Sequence, residues 1–371
     1  MNNIYIKSIY IKELRHLKDI SINIDNNEKK NLIITGRNGS GKTTLLEAIK
    51  SYLRFFESTD TPLEYRNTDT RIDLDISMVE LIQNAYRNGE IIFSYFDAKR
   101  NSNVTIPTGV EKVTLNEKYP IDEKPAANFL KYLVDLKTQQ SFAKNEGDFD
   151  ESNKIELWFE KFENALKDIM DNPNLSLKFD YKNYNFTINE EGKIPYGFNE
   201  LSDGYSAILD IIMDLIMRME NKASRAYDLE GIVLIDEIEA HLHISLQKKV
   251  LPFLTKLFPN VQFIVTTHSP FILNSIENAV IYDLENKTNV KDLTAYSYEG
   301  IVEEYFNIDQ YSQSIKDKLN RYKKLIFKNN TTKEEDAEME DLRKYLAEVS
   351  EEEAPELYAE FMDLEIHREL M

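Results

Sequence analysis

Residues 36–43 constrain the fold most, because they match the phosphate-binding pattern G-x-x-x-x-G-K-[ST] in full. The apolar run 31–35 precedes them and a helix-like stretch begins at Thr44, which is the strand–loop–helix context that the pattern requires. Backbone N–H groups of such a loop surround phosphate oxygens, Lys42 can reach the β- and γ-phosphates, and the Thr43 hydroxyl can bind Mg²⁺. The predicted nucleotide-binding residues of this α/β unit are Gly36, Arg37, Asn38, Gly39, Ser40, Gly41, Lys42, Thr43 and Thr44.

The composition excludes several classes of protein. The 371 residues contain no Cys, so disulfides, thiolate metal sites and Cys nucleophiles are excluded, and a reducing cytoplasm is the expected compartment. No apolar run approaches the roughly 20 residues of a membrane span, and no signal peptide is evident, so no membrane association is expected. The formal net charge of −20 argues against a nucleic-acid-binding surface over the whole molecule. A local basic patch stays open, and direct DNA binding is therefore undecided.

Periodicity predicts an α/β domain with a mixed sheet core at residues 1–297 and an acidic helical region at 298–371. Strands are expected in two parts of 4–24, around a short turn, and at 91–96, 175–188, 231–235, 261–266 and 279–282. Helices are expected after the phosphate loop and at 126–170, 206–220 and 241–257, with 126–170 belonging to an inserted helical subdomain at about 120–170. The alternation of strand and helix from 231 onward favours a parallel sheet.

Two carboxylates end the apolar strand expected at 231–235. Ligands of open α/β sheets bind at the carboxyl ends of the strands, so both acids are placed where a nucleotide would lie. Asp236 could hold Mg²⁺, directly or through water, and Glu237 could orient and polarise the attacking water. A buried strand that ends in acids is also common as an ordinary loop entry, but the upstream phosphate loop favours the catalytic interpretation.

Three further segments gain meaning from their order along the chain. His268 follows the strand expected at 261–266, where a neutral imidazole could contact a γ-phosphate. Ser202 precedes the amphipathic helix as a good N-cap, and the helix N-terminus behind it is suited to anions. A structural N-cap is the alternative for Ser202, and taken alone the segment Glu239–His241 is only a loop.

These five motifs, in this order over residues 1–275, resemble those of ABC-type ATPases. The segment 36–43 matches the Walker A motif, and Asp236 and Glu237 match the Walker B motif. The remaining matches are a signature at Leu201, Ser202, Asp203 and Gly204, a D-loop at Glu239, Ala240 and His241, and a switch histidine at His268. The strings at 236–243 and 266–270 are similar to the RecF/OLD-like branch of the class rather than to transporters. The signature departs from the family pattern, which normally has Gly at Asp203 and Gln at Tyr205.

The resemblance implies an ATPase that uses ATP and Mg²⁺, with Glu237 and His268 as catalytic residues. It implies metal ligands at Thr43, Asp236 and a Q-loop glutamine, for which Gln139 and Gln140 are the candidates and Gln140 is the choice. Arg15, in the turn between the first two strands, is expected near the nucleotide. In the family, the signature acts in trans on the nucleotide of a second subunit, so a homodimer or higher homo-oligomer is implied.

Among soluble relatives, the size and the acidic helical tail resemble ATPase subunits of prokaryotic antiphage systems such as Septu or PARIS. The resemblance implies a subunit that dimerises on ATP and controls a separately encoded nuclease or toxin. A RecF-like DNA repair ATPase is the alternative, although its basic DNA-binding face is less compatible with a charge of −20. A transporter cassette is less favoured because of the loop after His268 and the inserts that differ from those of transporters. An OLD-type single-chain nuclease is less favoured, since no clear strand-borne acid followed by D-x-D comes after Ser275.

The C-terminal region has two parts with different expected roles. Apolar stripes within 298–328, at 301–308 and again at 315–325, predict packing on the parent domain. Residues 331–371 hold 15 Asp and Glu against 4 Lys and Arg, interleaved with apolar positions. Acidic amphipathic helices suit docking to another protein. Simple capping of the fold is the alternative.

Overall fold

The computed structural model describes residues 4–25, 28–57, 72–76, 79–100, 103–221, 227–290, 293, 298–301, 312–328, 330–349 and 354–370. The chain forms two compact units, Met1–Tyr296 and Ser297–Met371. Within the described ranges, no helix combines the length and apolar character needed to cross a lipid bilayer.

The elements of the structure follow one another in a strand-rich first unit and a helical second unit. The strands are β1 (Ile6–Leu14), β2 (Leu17–Asn23), β3 (Asn31–Thr35), β4 (Ile72–Ile76), β5 (Ile91–Phe96), β6 (Ser176–Asp180), β7 (Asn185–Asn189), β8 (Glu230–Ile235), β9 (Val261–Thr266), β10 (Ala279–Asp283) and β11 (Thr288–Val290). The helices are α1 (Lys42–Phe55), α2 (Val79–Arg87), α3 (Phe129–Glu146), α4 (Phe149–Met170), α5 (Asp203–Met219), α6 (Ile244–Leu257), α7 (Pro270–Leu273), α8 (Tyr298–Gly300), α9 (Gln313–Ile326), α10 (Lys333–Ala347) and α11 (Pro355–Leu370).

The first unit is built on a mixed sheet. In the part of the chain that the structure describes, its order is β11-β10-β3-β9-β8-β5, and all neighbours pair in parallel except β10 and β11. Strands β3, β5 and β9 are buried at every residue, as expected for parallel strands covered on both faces. The carboxyl ends of β3, β8 and β9 therefore meet at one edge, where the loops that follow them come together.

A second, antiparallel sheet with the order β2-β1-β4 packs over helix α1. The apolar residues of α1 recur at helical spacing and are buried, namely Leu45, Leu46, Ile49 and Leu53. They share one core with alternate residues of the main sheet, namely Leu32, Ile34, Ile232 and Leu234. This core fixes α1 directly after β3 and so sets the position of the loop between them.

The segment between β5 and β8 contains the helix pair α3 and α4 and the hairpin β6–β7. Trp158 on α4 is buried and donates from Nε1 to Glu220 Oε1 at 2.6 Å, while Tyr132 on α3 donates to Glu220 Oε2 at 2.8 Å. Glu220 follows α5, so one buried carboxylate joins both helices of the pair to the helix that begins at the signature.

The second unit, Ser297–Met371, has an apolar core of its own. Its core residues come from α9, α10, α11 and the turn before α11, namely Leu319, Tyr322, Ile326, Leu346, Ala354, Leu357, Phe361 and Leu364. Arg321 pairs with Glu338 at 2.6 Å and Lys323 with Glu360 at 2.9 Å. Part of the acidity of α10 and α11 therefore neutralises the basic helix α9.

Most elements predicted from periodicity are present, and β5 and β9 have the predicted ends. Helix α5 begins at Asp203, three residues early, because Ser202 takes the N-cap position. Helix α6 begins at Ile244 rather than 241, since His241 has a φ of 66° and interrupts a helical backbone. The periodicity did not reveal β4, α2 or β11. Of the apolar stripes within 298–328, positions 302–308 lie outside the described residues, whereas Leu319 and Tyr322 lie in the core of the second unit.

Candidate nucleotide-binding site

The loop between β3 and α1 presents a helix N-terminus without a side-chain cap. Gly41 occupies the N-cap position with a φ of 102° and provides no side-chain cap for the helix. The first N–H groups of a helix have no acceptor within it, and the helix dipole adds positive potential there. The geometry of segment 36–43 therefore suits a phosphate group.

The turn between β1 and β2 lies against this loop. The left-handed φ of Gly41 favours glycine, and a Cβ there would stand 2.7 Å from His16 Nε2, so the His16 side chain would have to move. Arg15 Nη1 lies 3.5 Å from Thr44 Oγ1 as a donor, which places Arg15 beside the first turn of α1. His16 was not predicted, because its contact with Gly41 joins positions 25 residues apart in the sequence.

Lys42 is 6% exposed and lies inside the phosphate loop. Its Nζ donates to the carbonyl oxygens of Gly36 at 2.9 Å and Arg37 at 3.1 Å. Burial lowers the pKa of Lys42, and the charges of Glu237, Glu239 and Asp236 oppose that shift. The ammonium is therefore close to the acids at the carboxyl end of β8.

Asp236 joins three elements of the site. Its Oδ2 accepts from Thr43 Oγ1 at 2.7 Å, and its Oδ1 accepts from Thr266 Oγ1 at 2.5 Å. A hydroxyl and a carboxylate oxygen at this separation are hard ligands of the kind that Mg²⁺ uses, with phosphates and water supplying the rest. Among the residues that the structure describes, no group of three or more His, Asp or Glu could hold a metal by itself. Thr43 and Asp236 thus fit a magnesium ion that is bound together with a nucleotide.

Glu237 has a left-handed backbone, with a φ of 44°. Its N–H donates to Thr266 Oγ1 at 2.7 Å, and its carbonyl accepts from the N–H of Ala240 at 2.8 Å. Such a conformation is costly for a residue with a side chain and is concentrated at functional sites. Thr266 thus forms hydrogen bonds with both Asp236 and Glu237. Its place at the end of β9 is the only sequence feature that could have predicted a contact with these acids.

The D-loop and His268 are joined through Glu239. The N–H of His268 donates to Glu239 Oε1 at 2.5 Å. Burial and the charge of Lys42 lower the pKa of His268, although Glu237 and Asp236 oppose this, so its imidazole is neutral at neutral pH. Burial also raises the pKa of Glu239. His268 therefore lies close enough to Lys42 and Asp236 for their charges to shift its pKa.

The signature lies at the start of α5, against the D-loop of the same chain. A Cβ on Gly204 would stand 2.9 Å from the carbonyl oxygen of His241, so this backbone approach requires glycine. Ser202 and Asp203 are exposed, and Leu201 is half-buried. The side chain of Ser202 makes no capping bond to α5. The exposed end of α5 thus carries a hydroxyl that is not used to cap its own helix.

The structure does not bring Gln139 or Gln140 to this cluster. Both lie in α3, where Gln140 Oε1 accepts from Lys137 Nζ at 2.8 Å and Gln140 Nε2 donates to the carbonyl of Ser152 at 3.5 Å. No hydrogen bond among the described residues links either glutamine to the Walker motifs. The role predicted for Gln140 as a metal ligand has no support from its contacts.

Asp97 directly follows β5, at the edge of the sheet where β8 also ends. Phe96, the last residue of β5, pairs with Ile235, and its carbonyl accepts from the N–H of Asp236 at 2.8 Å. Asp97 therefore leaves the sheet beside Asp236. No local pattern predicts this neighbour, because the order of strands in the sheet decides which strand ends next to β8.

A phosphate loop after β3, acids after β8 and a histidine after the intervening strand β9 define an ABC-type P-loop ATPase fold. A family model described as "AAA ATPase domain" matches residues 4–169, and another, "AAA domain, putative AbiEii toxin, Type IV TA system", matches residues 116–274. The two models together match residues 4–274, so this part of the chain is similar to AAA ATPase domains, in agreement with the RecF/OLD-like resemblance of the motifs.

Relatives of this chain come from three kinds of system. Septu protein PtuA of Bacillus mycoides (strain KBAB4) is 25% identical, over 92% of this chain and 50% of the relative. Retron Ec83 probable ATPase of Escherichia coli is 33% identical over 45% of this chain and 31% of the relative. DNA replication and repair protein RecF of Rickettsia prowazekii (strain Madrid E) is 26% identical over 46% and 53%. The chain thus spans about half the length of these relatives, or less.

Among solved structures, an SMC head bound to the C-winged helix domain of ScpA aligns with 78% of this chain and 95% of that chain. The TM-score of this alignment is 0.42 and the sequence identity is 14%.

Proposed function

We propose that this chain binds and hydrolyses Mg·ATP at the cluster formed by Lys42, Thr43, Asp236 and Glu237. The observation that carries the proposal is the 2.7 Å hydrogen bond from Thr43 to Asp236, which joins the phosphate loop to the acids. Lys42 offsets phosphate charge, Glu237 accepts a proton from the attacking water, and neutral His268 donates to the γ-phosphate. Mg²⁺, when bound through Thr43 and Asp236, neutralises charge on the phosphates.

We further propose that the catalytic site is completed by the signature of a second copy. Ser202 is exposed at the N-terminus of the 17-residue helix α5, and its hydroxyl does not cap that helix. A helix N-terminus and a hydroxyl suit a γ-phosphate held by another chain. The functional unit in this proposal is an ATP-dependent homodimer or a higher homo-oligomer.

Mixed dimers test action in trans. Chains with Ser202→Arg keep their own phosphate loop, and chains with Lys42→Ala keep their own signature. A heterodimer of the two has one intact composite site and one site with both defects, so ATPase activity should partly recover relative to either variant alone. Heterodimers confirmed by native mass spectrometry that show no recovery would contradict this arrangement.

We propose that the biological role is that of an ATPase subunit in an antiphage defence complex, which controls a separately encoded nuclease or toxin. The similarity to a Septu protein over 92% of this chain and to a retron ATPase supports this role. A RecF-like role in DNA repair is the second candidate, since RecF also matches. The net charge of −20 favours a protein partner over DNA.

Deletion of the second unit tests the partner. Removing only 331–371 would strip α9 of its core partners, because Tyr322 and Phe361 pack together at a ring separation of 5.8 Å. Deleting 297–371 removes α9 as well, so its apolar face is not left uncovered. The shortened chain should keep its ATP affinity in calorimetry but should no longer co-purify with the product of a neighbouring gene. Insolubility or loss of ATP binding would instead assign the unit to the ATPase core and contradict a docking role.

A further inference from the structure

Arg100 follows β5 and has a side chain buried beneath the Walker B turn, with 3% of the residue exposed. Its Nη1 donates to the carbonyl oxygens of Asp97 at 2.9 Å and Asp236 at 2.6 Å. Its Nη2 donates to the carbonyl oxygens of Glu237 at 2.9 Å and Ile238 at 3.2 Å. One guanidinium therefore binds three consecutive carbonyls that begin at the metal-binding acid.

The turn is held from two sides. On one side, Thr266 accepts hydrogen bonds from two amides of the turn. The N–H of Glu237 donates to Thr266 Oγ1 at 2.7 Å, and the N–H of Ile238 donates to the Thr266 carbonyl at 3.1 Å. On the other side, Arg100 donates to the carbonyls of the turn. Carbonyls that converge on one group require a tightly curved backbone, in agreement with the φ of 44° at Glu237.

The chemistry of this contact is specific to arginine. A guanidinium presents its N–H donors in a rigid plane, whereas an ammonium is a compact donor on a flexible stem. Burial lowers the pKa of Arg100, but the charges of Glu239 and Asp210 oppose this shift. A neutral replacement would leave buried carbonyl oxygens without a donor, which is unfavourable.

We propose that Arg100 is a positioning residue that holds Glu237 in the left-handed backbone conformation needed for hydrolysis. This inference rests on the ATPase activity proposed above. The proposal also assigns a role to the segment after β5, because Arg100 lies where the chain leaves the sheet toward α3 and α4. A small displacement of a catalytic group can cost about a hundredfold in rate, so the clamp is expected to act on turnover more than on ATP binding.

Arg100→Lys and Arg100→Met test the clamp through turnover, ATP affinity and hydrogen exchange. Both variants should lower kcat by about tenfold or more and keep the ATP Kd within about threefold of wild type. Amide exchange in a peptide covering 236–241 should become faster, and Arg100→Met should show the larger change. Exchange in α4 should stay at the wild-type rate.

Arg218→Lys is the matched control. Like Arg100, Arg218 is buried and binds a backbone carbonyl. It donates to the carbonyl of Phe93 at 3.0 Å, in β5, the strand that Arg100 follows, and it pairs with Asp214 at 2.6 Å. This control should lower the unfolding temperature without changing kcat per folded chain or exchange at 236–241. Wild-type kcat and exchange in both Arg100 variants, or equal effects in Arg218→Lys, would overturn the proposal. If the wild type hydrolyses no ATP, the ATPase proposal fails, and unchanged exchange at 236–241 would then overturn the clamp separately.

Discussion

Glu237→Gln should lower the kcat for ATP hydrolysis by about a hundredfold or more and leave the ATP Kd within about threefold of wild type. The amide keeps the size of the side chain but cannot take a proton from water as a carboxylate does. The backbone contacts of residue 237 involve its N–H and carbonyl, so the turn held by Thr266 and Arg100 should remain intact. Binding without turnover should make this variant accumulate as an ATP-bound dimer.

Phosphate release and calorimetry measure the two parts of this prediction. Glu230→Gln is the matched control, because Glu230 begins the same strand β8 at the opposite edge and accepts from the N–H of Ile4 at 3.1 Å. A glutamine oxygen can accept the same bond, so kcat should stay at the wild-type value. Turnover of Glu237→Gln equal to wild type would exclude Glu237 as the catalytic carboxylate.

Lys42→Ala should weaken ATP binding tenfold or more, which corresponds to about 1.4 kcal/mol or above. The ammonium is held by two carbonyls of the phosphate loop, close to Asp236 and Glu237. When this ammonium is removed, its charge no longer offsets the repulsion between the phosphates of ATP and the carboxylates of Asp236 and Glu237. Loss of affinity should therefore exceed the effect of removing an exposed lysine.

Isothermal titration with ATP gives the affinity directly. Lys50→Ala provides the control on the same helix, since Lys50 pairs with Asp122 and lies over the ring of Tyr95 instead of contacting the phosphate loop. It should bind ATP like the wild type. An unchanged ATP affinity in Lys42→Ala would remove the assignment of segment 36–43 as the phosphate-binding loop.

Local patterns were sufficient for much of the fold and for the residues that follow each strand. The pattern at 36–43 requires a strand before it and a helix after it, and β3 and α1 are in those places. The acids after β8 and His268 after β9 meet the phosphate loop because parallel strands bring their carboxyl ends to one edge. Strand-by-strand periodicity was therefore enough to predict that these side chains would lie together.

Contacts between distant positions could not be predicted in this way. Arg100 reaches the carbonyl of Asp236 across 136 positions, and in the sequence it is one of several polar residues after the strand expected at 91–96. The contacts of Gln140 within α3 were not predictable for a related reason, because the order of strands places Asp97, and not α3, beside Asp236. Side-chain contacts with backbone carbonyls leave no periodic signal.

Phosphate release from Mg·ATP by the purified chain of 371 residues is the most direct measurement of the proposed activity. The wild type should release phosphate in a Mg²⁺-dependent reaction, and activity per chain should rise with chain concentration as dimers form. Lys42→Ala and Glu237→Gln should each abolish most of this release. No release by the wild type at any concentration, or full release by both variants, would contradict hydrolysis at this site.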